Sequence, residues 1–151
     1  MFMLTGCDAF RIAGQFQSGR QAFVAKKYAE ALAHFQQVAA ANPSYMFQSV
    51  LYRQGIWNYV GRAQYHLGKF RAARRSLEKA LAFYRDDYLA RIYLGMTFVR
   101  AGDRATGVRE MENGMKGLHG WLENIEAAPI RIYPFGIPSA RFAPLLRQSS
   151  R

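Results

Sequence analysis

At 151 residues the chain has the length of one domain, enough to bury a sustained core. It carries 21 Lys and Arg against 10 Asp and Glu, a net charge of +11 with a pI near 10.2. That balance points to an acidic partner, an anionic membrane surface or nucleic acid, against the plainer reading of a basic solvated surface. The single cysteine excludes an intramolecular disulfide, and no apolar run approaches the ~20 residues of a membrane-spanning helix.

Residues 1–13 form an N-terminal segment in which Leu4-Thr5-Gly6-Cys7 resembles a bacterial lipobox. The resemblance implies lipidation at Cys7, attachment to the cell envelope, and Asp8 as an inner-membrane retention signal. Without a lipobox the expected location is the cytoplasm.

A first helix is expected over about residues 9–25, with Phe10, Ile12, Phe16 and Phe23 as its apolar set and Lys26-Lys27 as the turn. A second follows from Tyr28 to Ala41, ended by Asn42-Pro43, because Pro disfavours helix at the residue before it. Ser44 is the expected N-cap of a single long helix over residues 46–66, with Gly55 and Gly61 inside it. Each Gly costs roughly 1 kcal/mol there relative to Ala. Close approach of a neighbouring helix accounts for Gly61; Gly55 has no account beyond a bend or a close contact. Gly68 ends this helix, and the next covers residues 70–84. The Asp86-Asp87 pair reads as cap and first-turn charge for a helix from Tyr88 to Arg100. Helices over 104–118 and 121–127 follow, the second presenting Trp121, Leu122 and Ile125 on one side. Residues 128–151 carry four prolines yet are rich in apolar and aromatic residues, and are expected to pack along the preceding helices or dock on a partner.

These elements repeat. Trp57-x-x-Val60-Gly61 is echoed 34 residues later by Arg91-x-x-Leu94-Gly95, Gly68-Lys69 by Gly102-Asp103, and Ala73-x-x-x-Leu77 by Gly107-x-x-x-Met111. A third copy, Tyr28-x-x-Ala31-x-x-x-Phe35 followed by Pro43, lies 42 residues upstream of the central one, so roughly eight residues are inserted. The pattern resembles the tetratricopeptide repeat (TPR) family over about residues 14–118. The resemblance implies an all-α, right-handed superhelical solenoid of about three helix pairs, over 14–45, 46–87 and 88–118. A capping helix over 119–127 and an irregular tail would complete it.

No catalytic constellation is present in the sequence. His34, His66 and His119 fall in different helical pairs without metal-ligand spacing, and there is no second Cys, so neither metal nor cofactor is expected. No Gly-rich loop has phosphate-binding form, and Glu123 and Glu126 read as a solvated capping face, so an enzyme is not expected. The resemblance instead implies a non-enzymatic scaffold that binds a peptide or partner protein in a concave groove lined by the first helix of each pair. Carried over, the groove residues are Phe16, Arg20 and Phe23, then Asn58, Arg62 and Tyr65, then Ile92, Met96 and Val99. Arg20 and Arg62 suit an acidic or carboxylate-bearing partner, because guanidinium binds carboxylate bidentately. The family's set of Lys and Asn residues that grips a peptide C-terminus is met only by Asn58 and Arg62. Two other functions stand beside this one. Arg71, Arg74 and Arg75, on the outer helix of the central pair, could meet nucleic acid or an anionic surface. Repeat stacking or tail exchange could build a larger assembly.

Overall fold

The computed structural model describes residues 5–48 and 52–127; the side chains of residues 5–8 and 125–127 are not described. Six helices follow in order: α1 (Thr5–Val24), α2 (Tyr28–Ala41), α3 (Ile56–His66), α4 (Phe70–Phe83), α5 (Tyr88–Arg100) and α6 (Arg104–Ala127). Up to Leu118 they stack as three antiparallel pairs, an all-α solenoid of the expected type. Residues 119–127 continue α6 without a break, so the helix runs through Gly117 and Gly120 rather than restarting as a separate cap. The expectation for the 128–151 tail lies outside the described residues.

One rule builds each pair. A Cβ placed on Gly19, Gly61 or Gly95 would fall 2.6 Å from Phe35, Leu77 or Met111 of the paired helix. The glycines therefore set the closest approach within each pair. The spacings between them, 42 and then 34 residues, are those of the sequence repeat. The inner helices also end alike. Lys27, Lys69 and Asp103 donate their N–H groups to the carbonyls of Ala22, Gln64 and Phe98 at 2.9, 2.9 and 3.0 Å. Lys26, Gly68 and Gly102 donate to Phe23, Tyr65 and Val99 at 3.0, 2.9 and 3.1 Å. This is a Schellman closure, which needs a left-handed residue just past the helix. Gly68 and Gly102 supply it at φ 73° and 96°; Lys26 supplies it at φ 60°, against its own Cβ.

The core follows from the same repeat. Phe16, Phe35, Val38, Ile56 and Val60 fill the first part and Ala73, Leu77, Ala80 and Ala90 the second, all almost wholly excluded from solvent.

The long helix expected over residues 46–66 does not form. A two-stranded antiparallel hairpin, β1 (Met46–Gln48) and β2 (Arg53–Gly55), stands in its first half, with Met46 opposite Gly55. The reason is packing. Tyr45 and Phe47, two residues apart in extended chain, point to one side. Both land on Phe16, at ring separations of 5.1 and 5.2 Å. Ile56 then donates its N–H back to the Tyr45 carbonyl at 2.9 Å, closing the insert before α3 begins. Ser44 caps nothing; its N–H and hydroxyl donate to the Asn42 side-chain oxygen at 3.1 and 3.0 Å in a turn. Gly55, unexplained as a helix residue, ends β2 under the Met46 sulfur and leads directly into α3.

Candidate ligand groove

The inner helices α1, α3 and α5 lie side by side. Phe16 of α1 meets Tyr59 of α3 edge-on at 4.9 Å, Phe23 meets His66 at 5.6 Å, and Tyr65 of α3 meets Tyr93 of α5 at 5.5 Å. Their charge is one-sided. Besides His66 they carry Arg11, Arg20, Arg62, Arg91 and Arg100, and Asp8 is their only acid.

Arg62 occupies the middle. Its guanidinium carbon stands 4.9 Å from the Phe23 ring, 5.2 Å from Tyr93 and 5.6 Å from Tyr59. Aromatic faces attract a cation and hold the guanidinium plane. Its Nε is enclosed and has no hydrogen-bond partner among the described residues. Among those residues it also has no carboxylate at ion-pair distance. Arg20 is seated similarly, 4.5 Å from Phe47 of the hairpin and 6.0 Å from Phe16, with a hydrogen bond to Gln17 at 3.3 Å. His66 stacks on Tyr28 at 4.3 Å and meets the Tyr93 hydroxyl at 3.3 Å. Burial, helped by the Arg62 charge, lowers its pKa below the ordinary imidazole value. Burial also raises the Tyr59 hydroxyl well above the ordinary phenol value, keeping it a neutral hydrogen-bonding group.

The expected groove residues divide by burial. Arg20, Phe23, Arg62, Tyr65, Met96 and Val99 are half-buried. Ile92 leans under Gly114 of α6 and Val99 under Gly107, so both face their own pair. Phe16 and Asn58 are wholly buried and offer no surface. Asn58 donates from Nδ2 to Asp87 Oδ1 at 2.7 Å, and the same oxygen accepts the Ala90 N–H at 3.0 Å, capping α5. Asn58 therefore ties α3 to the start of α5. Burial raises the Asp87 carboxyl above its ordinary value; the Ala90 N–H, the Asn58 amide, the Gly55 N–H and Arg62 oppose the shift.

Tyr59 and Tyr93, which complete the setting of Arg62, were absent from the expected set. They stand 34 residues apart, so the repeat that placed Arg62 also marks them. Phe47 had no such signal, because its segment read as helix.

The outer basic cluster is exposed on α4. Arg74 pairs with Glu78 at 2.8 Å and lies 4.6 Å from the Phe98 ring, so its charge is partly matched. Arg71 and Arg75 have no ion pair among the described residues. No helix among the described residues is long and apolar enough to cross a membrane.

No family model and no curated protein matches the sequence. Solved structures do. MamA from AMB-1 superposes with a TM-score of 0.61 at 19% identity, over 72% of this chain and 60% of that one. The TPR domain of Arabidopsis OM64 gives 0.62 at 11% identity, over 80% and 98%. The first TPR domain of Spaghetti (RPAP3), bound to the HSP90 peptide SRMEEVD, gives 0.59 at 17% identity, over 77% and 91%. This chain thus spans about three fifths of the MamA chain it resembles. At these identities the likeness establishes the fold, which is that of a tetratricopeptide-repeat solenoid.

Proposed function

We propose, with the tetratricopeptide-repeat fold as premise, that this protein is a non-enzymatic interaction scaffold whose inner groove holds an acidic segment of a partner protein. The observation that carries the reading is Arg62, a half-buried guanidinium held among three aromatic rings without a carboxylate partner among the described residues. Arg20 repeats the arrangement one helix away. A similar fold, that of Spaghetti, holds an HSP90 peptide. The outer cluster on α4 is the weaker candidate, because Glu78 already meets Arg74.

Selection from a random peptide library is the test. The wild-type protein is expected to enrich a related set of peptides, and an Arg62→Glu, Tyr65→Ala variant with unchanged helicity is expected not to. Arg62→Met, which keeps apolar packing on the rings while removing the charge, guards against a folding defect. Equal enrichment of the same peptides by the variants would remove the groove as the binding surface.

Attachment to the cell envelope through Cys7 is a separable part of the proposal, supported by the Leu4–Cys7 sequence alone. Mass spectrometry of the protein from its native cells is expected to find a diacylglyceryl Cys7. A free thiol there would remove the anchor.

A further inference from the structure

Resting on the groove reading above, we infer that the groove recognises two side-chain carboxylates within an extended segment, one at Arg20 and one at Arg62, and does not require a free peptide C-terminus. Three observations lead there. The amide of Asn58 cannot reach a ligand, because it is wholly buried and bonded to Asp87 at 2.7 Å. The charged groups that the groove residues of α1 and α3 offer are then Arg20, bonded to the Gln17 amide, and Arg62. Both cations rest on aromatic faces; the enclosed Nε of Arg62 leaves its two terminal nitrogens to bond a carboxylate, and Arg20 keeps donors beyond the one given to Gln17.

The two sites are also separate. Arg20 lies 6.0 Å from Phe16, Arg62 lies 5.6 Å from Tyr59, and the two rings meet edge-on at 4.9 Å, so the cations rest on different members of one ring pair. The cations sit on α1 and α3, which meet through these rings, so the helix axes stand at or beyond the about 8–10 Å of directly packed helices. A polyproline-type segment returns to the same face every third residue, about 9 Å along. A fully extended one brings residues i and i+4 to the same face about 13 Å apart. Acids three or four residues apart therefore match the pair of arginines, and adjacent acids do not. The hairpin enters recognition directly, since Phe47 is the face on which Arg20 rests.

The test uses the full chain and fluorescent Gly/Ser peptides bearing two Glu residues at every spacing from adjacent to about seven apart. Each is made with a free and an amidated C-terminus, and with Gln in place of Glu. Spacings of three and four are expected to bind about tenfold or more tighter than adjacent Glu or paired Gln, and amidation is expected to change nothing. Arg20→Met and Arg62→Met should each reduce the best peptide to the affinity of its single-Glu version. Dependence on a free C-terminus, indifference to Glu→Gln, or the absence of a spacing optimum would overturn the inference. So would an oligonucleotide whose binding is lost in both Met variants, because the cations would then serve phosphates. If the selected library peptides lack paired acids yet are lost with Arg62→Glu, Tyr65→Ala, the groove reading stands and this one falls.

Discussion

Replacing Gly95 by Ala is expected to destabilise the protein by about 2 kcal/mol, although Ala is the better helix former. A Cβ on Gly95 falls 2.6 Å from the Gly107 carbonyl oxygen, 2.6 Å from Met111 Cγ and 2.7 Å from the Met111 nitrogen. Two of these are backbone atoms of a helix, which cannot move aside as a side-chain tip can. Overpacking of this kind costs about 1–3 kcal/mol and sometimes more, while the gain in helix propensity returns about 1 kcal/mol. Gly14→Ala is the matched control. Nothing lies within 4 Å of its Cβ position, so the propensity gain stands alone and stability should rise by about 1 kcal/mol. Urea midpoints at constant slope distinguish the two. A Gly95→Ala protein as stable as wild type would mean that α5 and α6 do not pack as described.

The second large effect is expected at Asp87. Asp87→Ala removes the cap from the Ala90 N–H and leaves the buried Asn58 amide without its acceptor. A lost cap costs about 1 kcal/mol and an orphaned buried donor about 1–3 kcal/mol, so a loss of about 2–4 kcal/mol is expected. Asp87→Asn keeps the Oδ1 acceptor and should fall within about 1 kcal/mol of wild type at neutral pH. The pH dependence has a definite sign. The folded carboxyl holds its proton more tightly than the ordinary value of 3.8. Its contribution is therefore fully present below 3.8 and is lost as pH rises through the raised folded value. Urea unfolding across that window should show wild type losing stability relative to Asp87→Asn as pH rises. A difference that is flat with pH, or a harmless Asp87→Ala, would contradict the buried carboxylate.

The repeat was legible because its punctuation is local. Gly61 and Gly95 fit against Leu77 and Met111, Gly68 and Gly102 take the left-handed turn, and all four recur at one spacing. Arg20, Arg62 and Tyr65 could be placed on the inner helices by the same count. What the count could not give was burial that depends on distant partners. Asn58 sits in register with groove residues, yet an acid 29 residues away holds it in the interior. The hairpin was hidden for a related reason. In residues 46–55 the apolar Met46, Phe47, Val50 and Leu51 fall at helical spacing, their aromatic content suits helix or strand, and Phe16 decides between them. Gly117 and Gly120 likewise looked like an end to α6, but Gly117 lies against the Tyr88 ring, where a Cβ would not fit, and the helix runs on through both.

The closure of the insert has a consequence for chain length. The Ile56 N–H and the Tyr45 carbonyl meet at 2.9 Å, so the path of the repeats leaves and rejoins at one point. In polymer terms, the intervening residues are a side loop whose size does not enter the register of the helices. Doubling such a loop costs only about 0.6 kcal/mol in closure entropy. New sequence can therefore accumulate beyond Phe47 while the arginine-bearing helices keep their spacing, which makes this the point where a fixed scaffold tolerates insertion and change.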